Sequence, residues 1–154
     1  MFNIVLVNPQ IPPNTGTIGR LCVNIGATLH LIEPLGFSIE DKEVKRAGLD
    51  YWHKLDLKLY KSLDDFFEVH KGRDNFHFAT TKSKQLYFDA SFAPGDFFFF
   101  GSEVSGIDES LLDAYKQKCI TIPMGKEGRS LNLALSVGIV TYEAIRQNFE
   151  NFKG

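Results

Sequence analysis

The sequence predicts a doubly wound α/β domain with a mainly parallel sheet, and three observations lead there. Short apolar runs, among them Phe2–Val7, Thr28–Ile32 and the block Phe97–Phe100, end at polar, glycine or proline breaks, as buried strands do. Helical segments alternate with these runs, so the chain reads βαβα βαβ βαβα. The last helix is apolar most of the way round. One face carries Leu133, Val137, Val140 and Ala144, and a roughly opposite face carries Leu135, Ile139 and Tyr142. A helix at a monomer's surface needs one apolar stripe, so a second copy of the chain is the expected cover for the other face, with a central helix in a monomeric core as the competing account.

Composition sets the bounds. At 154 residues one domain, 1–154, is the default, and 44% hydrophobic with 23% charged residues argues against disorder. No basic stretch followed by an apolar one opens the chain, and no run is long enough to span a bilayer. A soluble, unexported, cytoplasmic protein is expected. Cys22 and Cys119 sit in apolar contexts and read as buried free thiols. The four histidines (His30, His53, His70, His77) show no metal-ligand spacing, so no metal is expected. A formal net charge of −2 gives no general affinity for nucleic acid; any RNA partner must be met by a local patch. The stretch Asp41–Arg46 with Lys54 and Lys58 offers one, and a solvated helix face of mixed charge is the competing account.

The elements follow in order. After the first strand, IPPNTG forms a loop. A helix is expected from Asn14 or Thr15, either of which suits a cap, with Ile18, Leu21, Cys22 and Ile25 as its stripe and Gly26 as its end. Strand two, TLHLI, stops at Glu33-Pro34. Ser38 is the expected cap of a helix over 39–47 that Gly48 terminates, and 49–53 reads as an aromatic loop. Leu57–Tyr60 is a brief strand. Ser62 caps the helix SLDDFFEVH, whose early Asp64 and Asp65 suit the positive helix end. Asn75–Thr80 alternates like a strand and runs into the polar exit 81–84; residues 85–96 read as loop. The phenylalanine block is the most hydrophobic strand and belongs mid-sheet. A short helix over 108–115, a strand over 119–122 and the last helix complete the order.

In such sheets ligands sit outside the carboxyl ends of the strands. Polar and glycine residues concentrate at four such exits: 8–20, 80–82, 101–106 and 123–132. The first has Gly16-Thr-Ile-Gly19 rather than GxGxxG, and Gly101–Gly106 is followed by Ile107 rather than Lys-Ser/Thr. Dinucleotide and nucleotide-hydrolase loops are therefore excluded. No histidine lies in these loops, so no Ser-His-Asp arrangement arises. What remains is N-P-x-I-P-x-N-T-G-x-x-x-R at 8–20, F-G-S-E-x-x-G-I at 100–107 and I-P-M-x-x-x-x-R-S-L-N-L-x-x-S at 122–136.

This trio resembles the SPOUT superfamily of RNA methyltransferases, in the branch that methylates ribose 2′-hydroxyls, nearly end to end. The stretch LHLIEPLGF…KRAGLDYW at 29–52 is similar to the short members that modify the wobble nucleotide of tRNA. The resemblance implies a C-terminal trefoil knot, S-adenosylmethionine as methyl donor, and a homodimer with the site at the subunit interface. Its expected substrate is the anticodon stem-loop of tRNA, leucine tRNAs in particular. Another tRNA position, ribosomal RNA, or a non-catalytic RNA-binding homodimer are the alternatives.

Carried over by position, the resemblance sets the donor against Ala79, Thr80, Gly101, Ile122, Met124, Ser130, Leu131 and Asn132, with Glu103 either bonding it or holding its loop. An apolar slot with main-chain donors suits adenine, and glycines allow close backbone approach. Arg20 matches the family's arginine at the substrate hydroxyl. Since a guanidinium stays protonated above pH 12 or so, positioning and charge stabilisation suit it better than proton abstraction. Asn14 fixes the first loop or reaches the ribose, unless it caps the helix. Ser130 and Asn132 have capping of the last helix as a competing role. Lys42, Lys45, Arg46, Lys54 and Arg129 are the candidates for tRNA phosphate. Tyr51 and Trp52 suit either base stacking or core packing.

Overall fold

The computed structural model describes residues 1–153, with the side chains of residues 48–50 outside the description. Six strands form one sheet: β1 (Asn3–Val7), β2 (Thr28–Ile32), β3 (Leu57–Tyr60), β4 (Phe76–Ala79), β5 (Phe97–Phe100) and β6 (Cys119–Ile120). They lie in the order β3-β2-β1-β5-β4-β6, and every pairing is parallel. The phenylalanine block is internal, between β1 and β4, and all four of its residues are buried.

Side-chain alternation divides the interior into two layers. On one face Ile4, Leu6, Leu29, Leu31, Phe98 and Phe100 meet Ile18, Cys22 and Ile25 of α1 (Pro12–Ile25) and Leu133, Val137 and Val140 of the long C-terminal helix. On the other, Val5, Val7, Phe97 and Phe99 meet Phe66 of α3 (Leu63–Val69) and Leu112 of α4 (Glu109–Ala114), after α2 (Lys42–Gly48). That second layer is dominated by rings. Phe66 lies within 5.4–6.3 Å of Phe76, Phe97 and Phe99 in edge or tilted arrangements favoured by the ring quadrupole.

His30 is buried there, 3% exposed, and fully bonded. Its Nε2 lies 2.9 Å from Asn3 Oδ1, an acceptor, so Nε2 carries the hydrogen. Nδ1 then accepts from the Tyr60 hydroxyl at 2.8 Å, and Tyr60 accepts in turn from His70 Nε2 at 3.1 Å. Burial, with the neighbouring His70 second, lowers the His30 pKa to about 4.

Several boundaries differ from expectation. Helix α1 starts two residues early because Pro12 and Pro13 have the backbone angle of a helix's first turn and no amide to satisfy. Ile11 is its cap position, and neither Asn14 nor Thr15 caps it; both side chains lie inside the helix. Thr15 Oγ1 is buried without a partner. Gly26 ends the helix in the left-handed region at φ 69°, as expected. Helix α2 starts at Lys42 rather than near 39. Ser38 accepts only from the Glu40 amide, while Asp41 Oδ1 receives the Glu43 amide at 2.7 Å. The 49–53 stretch is a 3-10 turn, Leu49–Lys54. Trp52 there packs against α1 at Gly19, where a Cβ would stand 2.8 Å from its ring. Residues 85–96 hold a second 3-10 turn, Tyr87–Asp89, and a bridge from Leu86 to Thr121. Ser62 caps α3 and Asp108 caps α4. Cys22 and Cys119 are buried free thiols, and burial pushes Cys22 up to about 12.

The last long helix, α5 (Leu133–Gln147), buries Leu133, Val137, Val140 and Ala144 against the sheet. Its other face is open: Leu135 is 61% and Tyr142 53% exposed. A short α6 (Phe149–Phe152) follows. No helix among the described residues is long and apolar enough to cross a membrane.

Candidate active site

Parallel strands deliver their exit loops to one edge of the sheet, and here four of them converge. The exits of β1, β4, β5 and β6 line a single pocket of about 500 Å³. Ala79, Thr80, Gly101, Glu103, Ile122, Met124, Ser130, Leu131 and Asn132 all border it, as do Asn14 and Arg129. The expected loops are thus one site.

The loops are tied to each other by side chains. Glu103, on the β5 exit, accepts the main-chain amides of Gln10 at 2.8 Å and Ile11 at 3.0 Å, and the Asn14 side-chain amide at 3.2 Å. A carboxylate at the start of α1 also meets the positive end of that helix. Of its two expected roles, loop holding is the one these bonds describe. Asn14 Oδ1 receives the Asn132 amide at 3.1 Å, and Asn132 Oδ1 receives the Leu135 amide at 3.2 Å as the cap of α5. One chain of hydrogen bonds therefore joins the β5 exit, the start of α1 and the start of α5.

The backbone is drawn in tightly at Gly101. A Cβ there would stand 2.1 Å from the Gly106 carbonyl carbon, and Gly106 itself has φ +69°. Both positions require glycine for the loop to fold back on itself. Across the pocket, the amides of Ile122, Met124, Ser130 and Leu131 donate to no protein acceptor among the described residues. An apolar wall from Ile122, Met124 and Leu131 with free main-chain donors has the chemistry to hold a flat heterocycle.

Other expected residues lie elsewhere. Arg20 does not border the pocket. It sits about 9 Å along α1 from Asn14 and about 120° round it, exposed, with its guanidinium 5.4 Å from the Tyr51 ring centroid. Lys42, Lys45, Arg46 and Lys54 are exposed on α2 and the turn after it, and Lys45 pairs with Glu40 at 2.8 Å. The pocket also includes Ile11 and Ser136, fixed positions of the first and third motifs that were given no role, and Lys82, which lies in none of the motifs. Lys82, paired with Glu109, had a signal in its polar strand-exit position. Ile11 and Ser136 had theirs in the motifs at 8–20 and 122–136, where both are fixed residues.

Known proteins agree with this geometry. The SpoU rRNA Methylase family model matches residues 1–142. The tRNA (cytidine(34)-2′-O)-methyltransferases of Burkholderia pseudomallei (strain 1106a) and Methylovorus glucosotrophus (strain SIP3-4) are each 44% identical over 149 residues, 96% of this chain and 96% of theirs. A solved structure concerned with 2-OH methylation of C/U34 on tRNA superposes with a TM-score of 0.90 at 38% identity, covering 97% of both chains. With four strand exits gathered into one pocket, and a family match over nearly all its length, this chain belongs to the SpoU rRNA methylase family.

Proposed function

We propose that this chain transfers a methyl group from S-adenosylmethionine to the ribose 2′-hydroxyl of the wobble nucleotide of tRNA, with leucine tRNAs among the acceptors. The observation that carries this reading is the pocket: the nine residues set against the donor by motif all border one cavity. Relatives of the same length named for this reaction at tRNA position 34 support the choice of substrate.

The donor supplies an electrophilic methyl on a sulfonium. The O–CH3 bond forms as the S–CH3 bond breaks, and the hydroxyl proton leaves to water or a nearby phosphate. The protein's task is alignment in line and charge stabilisation, worth several kcal/mol without a metal. The free amides of Ile122, Met124 and Leu131 would hold the adenine edge. Glu103 and Asn14 fix the first loop, and Asn132 sets the start of α5. Arg20 has the charge to orient the acceptor oxygen, yet it faces away from the pocket of its own chain.

A homodimer resolves this. The α5 face of exposed Leu135 and Tyr142 with half-buried Ile139 would seat a second copy, and Arg20 of one protomer would meet the acceptor at the pocket of its partner. The C-terminal trefoil knot belongs to the same reading. Its support is β6 lying beside β4, with 85–87 bonded to Thr121 across it. The test is mass-spectrometric mapping of ribose methylation in tRNA from cells lacking this protein. Loss of methylation at the wobble nucleotide is expected, and an unchanged wobble ribose would overturn the assignment.

A further inference from the structure

The cations at the α2 end of the molecule are poor candidates for binding phosphate. Residues 40–46 hold Lys42, Lys45 and Arg46 but also Glu40, Asp41 and Glu43, so the segment is neutral. Lys45 is already paired with Glu40, and Lys58 with Asp56 at 3.4 Å. The opposite edge of the sheet differs. Residues 82–85 and 116–130 carry Lys82, Lys84, Lys116, Lys118, Lys126 and Arg129 against a single acid, Glu127, in a chain of net charge −2.

These stretches meet along β6. Ser83 Oγ donates to the Cys119 carbonyl at 3.0 Å, and the Thr121 amide donates to the Gln85 carbonyl at 2.8 Å, which sets Lys84 alongside β6, one or two residues on from Lys118. Lys116 and Lys118 precede β6, and Lys126 and Arg129 follow it. All are exposed, and Lys84, Lys116, Lys118, Lys126 and Arg129 form no ion pair among the described residues. Two acids of α4 lie close by: Glu109 pairs with Lys82, and Asp113 lies near Cys119.

We infer that this strip along β6, carried by Lys84, Lys116, Lys118 and Lys126, is the main surface for the phosphates of the anticodon arm. The inference rests on the tRNA reading proposed above. Four residues of extended chain span about 13 Å, room for several successive phosphates of one strand. The strip also borders the pocket through Lys82 and Arg129, whereas neither α2 nor the turn after it contributes a residue to the pocket. A ribose seated in the pocket has its flanking phosphates beside Lys82 and Arg129, at the end of the strip.

The experiment is fluorescence anisotropy of a labelled anticodon stem-loop RNA at several salt concentrations, with donor binding measured by calorimetry. Lys84→Gln, Lys118→Gln and Lys126→Gln combined should weaken RNA binding by about tenfold or more and flatten the plot of log affinity against log salt by about 2. Donor affinity and thermal midpoint should stay unchanged. Lys42→Gln, Lys45→Gln and Arg46→Gln combined should change RNA affinity by less than about threefold. Equal RNA binding by the strip variant and the unaltered protein, or a larger loss in the α2 variant, overturns the strip alone. An unaltered protein that binds donor but no anticodon RNA overturns the tRNA reading and the strip with it. Should the triple variant melt early, the single Lys84→Gln and Lys126→Gln proteins carry the test, each expected to lower the salt slope by about 0.7.

Discussion

Removing the Glu103 carboxylate would leave the Gln10 and Ile11 amides and the Asn14 side chain without their acceptor. Unmet donors at a partly buried site cost on the order of 1–2 kcal/mol. Glu103→Ala should lower unfolding stability in urea by about that much and weaken donor binding, as read by calorimetry. Arg20 should behave in the opposite way. It touches Tyr51 and not the pocket wall of its own chain, so Arg20→Ala should keep donor affinity while methyl transfer falls about a hundredfold or more. Near-normal transfer by that variant would remove Arg20 from the reaction. His30 predicts a pH effect. An unfolded histidine titrates near 6.5, the folded His30 near 4, so between these values the unfolded chain binds the extra proton. The stability is intact above pH 6.5, declines as pH falls and has lost about 3 kcal/mol from this group by pH 4. His70, also lowered by burial, acts in the same direction. Urea unfolding from pH 7 to 4 should therefore show a shallower decline for His30→Gln than for the unaltered protein.

At the level of elements, helix α5 carries the largest consequence. Its inner face is fully buried, yet Leu135 and Tyr142 are more than half exposed and Ile139 is half-buried. Apolar residues on one exposed helix face are a surface for association. Leu135→Glu should leave the monomer fold intact, since the side chain touches solvent, and shift sedimentation from dimer toward monomer. An unaltered dimer would show that another face joins the copies. Most strands were legible as short apolar runs bounded by polar, glycine or proline breaks, and this helix as a long, nearly all-apolar segment. Helix starts were not. Pro12-Pro13 set the start of α1 by backbone angle, a signal outweighed by the more familiar caps Asn14 and Thr15. The Asp41 cap was passed over for Ser38, three residues earlier.

For the molecule as a whole, the pocket was legible as four loops with glycines and polar side chains, and its unity followed from parallel strands sharing an exit edge. The linkage Glu103–Asn14–Asn132 was not legible, because side-chain bonds between positions 89 and 118 residues apart leave no local pattern. The displacement of Arg20 from the pocket of its own chain was legible in part, since six helical residues put it about 120° round from Asn14.

That linkage has one further consequence. The cavity does not exist in any fragment of the chain: its walls come from the beginning, middle and end of the polypeptide, and the last bond closes only after α5 docks. A nascent chain has no binding competence until residues 130–136 have been made and folded against the earlier loops. An occupant that touches all the walls acts as a clasp across the entire order of the chain, and should raise the temperature of global unfolding rather than of one segment.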